Sequence, residues 1–170
     1  MKIAGAATDP MRSLVQTSAQ RLQIAHRVAL NKWYSGAGVE DPSRETEVIQ
    51  NAVTDGKSMG LESAQVEAFF KAQIEANKLI QYSLLANWRR EGRAPGHAAP
   101  DLVKEIRPQL DEIEKQLLQE LKESAEARSS VTCPVDVAKA VGEYLNSRSL
   151  KVDSREGVAL DRAMASSCIR

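Results

Sequence analysis

Two cations stand where a helical repeat asks for apolar residues. In the stretch RLQIAHRVALNKW, residues 21 to 33, helical spacing sets Leu14, Ser18, Arg21, Ala25, Val28 and Lys32 in one i, i+4, i+7 row, beside a second row of Val15, Leu22, Ala29 and Trp33. Arg21 and Lys32 therefore interrupt the stripe that faces a core. They are about three helical turns apart, so their side chains point nearly the same way, separated by roughly 16 Å of helix axis.

Helical periodicity continues along the rest of the chain, and no segment alternates apolar and polar β-branched residues long enough to read as a strand. The fold class predicted is all-α: a bundle of about six helices, three of them long core helices, with a C-terminal helical extension and no β-sheet. Thr8, Asp9 and Pro10 mark the first start, with Asp9 as N-cap and Pro10 at the first helical position, where its missing donor costs nothing. That helix runs to about Tyr34 and stops at SGAG. Asp41 and Pro42 repeat the device for a second helix that lasts to about DGKSMG. A third spans Ser63 to Arg90. After the turn-rich EGRAPGHAAP, a fourth begins at Asp101 and lasts to about Ala125, bent at Pro108. Two shorter helices, about 135–146 and 154–167, complete a single domain over 1–170, divided into helices at about 10–126 and an extension at about 133–170.

Composition narrows the chemistry. Lys and Arg together number 23, as do Asp and Glu, so no general attraction to nucleic acid or to an anionic membrane is expected, and positive charge must act locally. No apolar run approaches the roughly 20 residues of a membrane span. MKIAGAATDP lacks the apolar stretch of a signal peptide. With Cys133, Cys168, His26 and His97 as the only soft ligands, a metal centre is not expected. The two cysteines are left as either a disulfide or two free thiols.

The third helix repeats the anomaly of the first. Gln73, Asn77 and Gln81 follow at i, i+4 and i+8 along one face of a mostly apolar helix, as a solvated face, a row of interhelical crosslinks or part of a site. Arg44 stands in the first turn of the second helix, and Arg107 near the start of the fourth. If four cations and two amides from four helices converge, they form a cationic, water-poor pocket suited to a small dianion. No Ser/His/Asp or Cys/His pattern, glycine-rich phosphate loop or helix-borne histidine pair offers a rival chemistry.

RLQIAHRVALNKW, VEDPSRETEVIQ, FFKAQIEANKLIQYSLLANW and PDLVKEIRPQLDEI, in that order and followed by a helical extension with two cysteines, resemble the all-helical chorismate mutases, specifically the secreted or periplasmic (gamma) subclass. The resemblance implies an isomerase that converts chorismate to prephenate by an intramolecular Claisen rearrangement, without cofactor, metal or covalent intermediate. It implies Arg21 and Arg107 on the two substrate carboxylates, Arg44 completing the cationic wall, and Lys32 and Gln81 hydrogen-bonding the ether oxygen. Asn77 would donate to a carboxylate, and Asp41 and Glu45 would order the ring hydroxyl. At Asn77 the family more often carries Ser or Thr, and at Gln81 some relatives carry Glu.

The resemblance further implies a disulfide between Cys133 and Cys168 and an exported protein, periplasmic or secreted, whose export signal is absent from this sequence. In short intracellular relatives one arginine crosses from the partner subunit. Arg107 here lies on a fourth helix of the same chain, so a homodimer with a complete active site in each protomer is implied. The same cations would also serve a non-enzymatic helical module binding a small dicarboxylate, or a purely structural dimerising bundle.

Overall fold

The structure, a computed structural model, describes residues 9–96 and 99–169. Among these it holds α1 (Pro10–Ser35), α2 (Pro42–Ser58), α3 (Ser63–Glu91), a π-helical turn (Leu102–Ile106), α4 (Arg107–Glu123), α5 (Ala125–Ser129), α6 (Cys133–Ser147) and α7 (Arg155–Ala163), and no strand. Thr8 and His97 lie outside the described residues.

The start and stop signals act as their chemistry requires. The Asp9 carboxylate accepts the Met11 N–H at 3.0 Å ahead of Pro10. Asp41 accepts the Arg44 N–H at 3.3 Å, and Glu45 reaches back to the Asp41 N–H at 3.1 Å, a reciprocal cap that holds α2 at the angle its site residues need. Gly36 ends α1 at φ 76°, a left-handed conformation that glycine adopts without steric cost.

Cross-contacts set the topology. Gln73 meets Ser18, Asn77 meets the Arg21 carbonyl and Trp88 meets Trp33, so α1 and α3 run parallel. α2 and α4 run antiparallel to them: Glu45 meets Lys78 while Gly56 meets Val66, and Thr17 meets Glu120 while Arg27 meets Glu105 just ahead of α4. Leu14, Phe69, Phe70, Ile80, Leu117 and Leu118 are almost fully buried at the centre. Where α2 crosses α3 and α4, Gly56 leaves no room for a side chain: a Cβ would stand 2.9 Å from a Val66 methyl and 3.3 Å from one of Leu118.

The fourth helix departs from expectation. Rather than one helix bent at Pro108, it is a wide π turn followed by α4, with Pro108 in the first turn of the latter. Proline has no N–H for the Lys104 carbonyl, and the chain instead makes i to i−5 bonds, Ile106 to Asp101 at 3.2 Å and Arg107 to Leu102. The short α5 was not anticipated either, and α7 ends at Ala163 rather than Ser167. The tail is held by side chains instead. Buried Arg128 donates to Ser124 Oγ at 3.0 Å and to the carbonyls of Leu121 and Ser167, while its own carbonyl takes the Ile169 N–H at 2.8 Å.

Cys133 and Cys168 form a disulfide that ties the start of α6 to this tail, closing a loop of sequence separation 35. Replacing both by serine is expected to lower stability by about 3 to 4 kcal/mol through the released unfolded chain, which for a protein of this size is a fall in Tm of about 10 °C. Calorimetry of the double variant checks this; an unchanged Tm would contradict it.

Candidate active site

Between α1, α2, α3 and the junction of the π turn with α4 lies a cleft of about 660 Å³, its open mouth included. All eight residues expected at a site line it. Arg21 and Lys32 come from α1; Asp41, Arg44 and Glu45 from the start of α2; Asn77 and Gln81 from α3; and Arg107 from the first position of α4. Gln73 does not join them, although it continues the same row. Its amide donates to Ser18 Oγ at 2.9 Å and to the Ala163 carbonyl at 3.3 Å, crosslinking α1, α3 and α7.

Arg21 is the most constrained of the cations. It is 6 % exposed, and its guanidinium donates to the Gln73 carbonyl at 3.2 Å. Among the described residues it forms no ion pair within 4.0 Å. Burial, opposed by Glu114 and reinforced by Arg44, pulls its pKa down to about 10, so it stays charged at neutral pH in surroundings that penalise the charge. A buried cation with mainly carbonyl company is built to receive an anion.

Lys32, 9 % exposed in the last turn of α1, donates one N–H to the Gly38 carbonyl at 2.8 Å and keeps two for a ligand. Gln81 donates to Asn77 Oδ1 at 2.7 Å and Asn77 donates to the Arg21 carbonyl at 3.4 Å, a chain that fixes both amides against α1. The second hydrogen of each amide stays free, and Gln81 Oε1 is buried without a protein partner among the described residues. Arg44 leans on Glu47 of its own helix. The π turn delivers Arg107 to the cleft, which Leu102 and Leu110 also line.

One polar residue of the cleft escaped the sequence reading. Lys78, 9 % exposed on α3, pairs with Glu40 at 2.6 Å, Glu75 at 3.0 Å and Glu45 at 3.2 Å. Burial works against its charge, but the carboxylates of Glu40, Glu75 and Glu45, to which its ammonium is bound, outweigh burial and raise its pKa. Its place beside Asn77, in the same stretch as the Gln73, Asn77 and Gln81 row, was the available signal. Val28, Val39, Val48 and Ile74 supply the apolar wall.

The polar lining is polarised: Arg21, Arg44, Arg107 and Lys32 face the cleft unneutralised by its only two acidic residues among the described ones, Asp41 and Glu45, which share one corner with Lys78. It suits a small dianion that also carries a hydroxyl donor. Both cysteines are sealed in the disulfide and offer no thiol nucleophile.

Behind Arg21, a smaller cavity is lined by Arg44, Phe70, Asp111 and Glu114, among others. Burial first, then a hydrogen bond to Asp55 and the charges of Asp55 and Asp111, push the Glu114 carboxyl up to about 7 against the opposing pull of Arg21. With a folded pKa above the unfolded 4.5, the favourable protonated state is fully present below about pH 4.5 and is lost as pH rises through about 7. Glu114→Gln, neutral throughout, should therefore raise stability at pH 8 by about 1 to 2 kcal/mol, allowing for solvent screening, and by nearly nothing at pH 4.5. Thermal melts of both proteins across this range check the prediction, and an equal shift at both ends would contradict it.

Comparison with known proteins agrees with this geometry. Residues 12–82 match the family model described as chorismate mutase type II. The chain is 30 % identical to the secreted chorismate mutase of Mycolicibacterium smegmatis, over 94 % of this chain and 87 % of that protein. It is 27 % identical to the secreted chorismate mutase of Mycobacterium tuberculosis, over 95 % of this chain and 79 % of that one. The crystal structure of chorismate mutase from Burkholderia phymatum superposes with a TM-score of 0.90 at 42 % identity, covering 98 % of this chain and 100 % of that one. With the cleft, the all-helical fold and a relative matched along nearly its whole length, the chain belongs to the chorismate mutase family.

Proposed function

We propose that the chain is a chorismate mutase whose cleft rearranges chorismate to prephenate, breaking the ether C–O bond and forming a C–C bond within one molecule. The observation that carries the proposal is the meeting of Lys32 and Gln81, from two parallel helices, with Arg21, Arg44 and Arg107 around one small cleft.

Arg21 and Arg107 hold the two carboxylates by their guanidinium forks, and Arg44 completes the positive wall. Clamped at both ends, the flexible enolpyruvyl arm is kept over the ring in the conformer that can react. Lys32 and Gln81 donate to the ether oxygen, where negative charge grows as the C–O bond lengthens. Their bonds strengthen toward the transition state, and that difference accelerates the reaction. Asn77 donates to a carboxylate with its remaining amide hydrogen, and Asp41 and Glu45 accept the ring hydroxyl.

Helices at about 10–126 form the catalytic part of a single domain, and those at about 133–170 brace it. Because Arg107 comes from the same chain as Arg21, the cleft needs no residue from a second copy, and homodimerisation adds stability rather than chemistry. The disulfide and the secreted relatives support an exported protein, in the periplasm or beyond it.

Loss of the near-ultraviolet absorbance of chorismate tests the activity. Lys32→Ala and Arg107→Ala should each lower kcat/KM at least about a hundredfold, with the Lys32 effect mainly in kcat. A module that only binds dicarboxylates would show no absorbance loss, yet chorismate would raise its Tm. As an amide, Gln81 donates at any pH, so the rate should change little between about pH 5 and 8. Gln81→Glu should make the rate fall as that carboxyl deprotonates, and a steep profile in the unsubstituted protein would contradict the role of Gln81.

A further inference from the structure

Lys78 lines the cleft, yet its ammonium is already engaged by three carboxylates of the protein. An ammonium group carries three N–H donors. Lys78 donates to Glu40 Oε1 at 2.6 Å and to Glu45 Oε1 at 3.2 Å, and its ammonium pairs with Glu75 Oε2 at 3.0 Å. Its work must pass through a neighbour.

Of the three carboxylates, Glu45 is the one that lines the cleft and the least exposed, its side chain 24 % exposed against 37 % for Glu75 and 53 % for Glu40. Glu45 is held at both oxygens. Oε2 takes the Asp41 N–H at 3.1 Å, and Oε1 takes the Lys78 ammonium. With two lone pairs on each oxygen and one bond accepted at each, it can still accept a further hydrogen bond at either oxygen. Without Lys78, Glu40, Glu45 and Glu75 would crowd one corner with no cation among them, and Glu45 would be free to swing toward Arg44 or Lys32, which the dianion needs. The ion pairs also pin the start of α2 to α3, and Tyr82 extends the network by donating to Glu40 at 2.6 Å.

We propose that Lys78 is a positioning residue for substrate recognition: it fixes the Glu45 carboxylate as the acceptor for the ring hydroxyl and keeps it from pairing with Arg44 or Lys32. This rests on the chorismate mutase reading of the cleft. It divides the cleft by function, a cationic part for the two carboxylates and a partly neutralised acidic corner for the hydroxyl. Lys78 therefore contributes to affinity for a hydroxylated dianion, and little to the bond-breaking step.

A double-mutant cycle with Lys78→Gln and Glu45→Gln tests this, reading KM and kcat for chorismate and, by calorimetry, the Kd for prephenate, which carries the same hydroxyl and two carboxylates. Lys78→Gln should raise KM and Kd about tenfold and change kcat less than about threefold. In the Glu45→Gln background it should change neither KM nor Kd more than about twofold. Lys78→Arg should recover most of the loss, and Glu40→Gln, which leaves the Lys78 to Glu45 pair in place, should leave both constants within about twofold. Equal losses in both backgrounds, or a fall in kcat at unchanged KM, would overturn the proposal. If Lys78→Gln does not fold, Glu40→Gln decides: a tenfold loss there would show that Lys78 does not act through Glu45. Absence of turnover in the unsubstituted protein would sink the mutase reading alone, because the prephenate cycle still reports on Lys78.

Discussion

The burial of Arg21 is the constraint around which this structure is arranged. Taking a guanidinium out of water costs several kcal/mol unless hydrogen bonds and an opposite charge offset it. The protein supplies one backbone carbonyl and the more distant, partly protonated Glu114. The remaining compensation is left to a ligand. Such a site is held open by the packing around it: the Leu14, Phe69, Phe70 and Ile80 core keeps α1 and α3 together despite the charge between them. The folded state thus carries an electrostatic deficit that a dianion relieves, which is how a preformed cationic cleft gains affinity and orientation without reorganising.

The other elements follow from the need to surround that cation. The parallel run of α1 and α3 sets Gln81 about one turn and Lys32 about three turns beyond Arg21 along the same cleft. The reciprocal cap of Asp41 and Glu45 starts α2 where Arg44 faces the cleft. The π turn does the same for Arg107, since a wider turn ahead of Pro108 re-aims the first residues of α4. The disulfide and Arg128 brace the distal helices, so stabilisation is concentrated away from the residues that must stay strained or unpaired.

Much of this was readable before any coordinates, for a physical reason. Cap chemistry is local, so Asp9 with Pro10 and Asp41 with Pro42 marked their helices correctly. A cation in an apolar stripe violates a local rule, and such violations concentrate at functional sites, which is why Arg21 and Lys32 stood out. What was missed depends on neighbours distant in sequence. Lys78 looked like one lysine among many because its partners Glu40 and Glu45 lie more than thirty residues away. Gln73 belongs to the same helical row as Asn77 and Gln81, but Ser18 and α7 claim it. Pro108 announced an irregularity without saying whether the chain would kink or widen, and only packing against α1 decides that.

The central claim is that the buried cations and the Lys32 and Gln81 pair form one transition-state site. A crystal structure with a bound bicyclic dicarboxylate ether that mimics the rearranging substrate tests it most directly. The account predicts one ligand carboxylate on Arg21, the other on Arg107, and the ether oxygen within hydrogen-bond distance of both Lys32 Nζ and Gln81 Nε2. A ligand seated elsewhere, or one whose ether oxygen points away from Lys32 and Gln81, would contradict it.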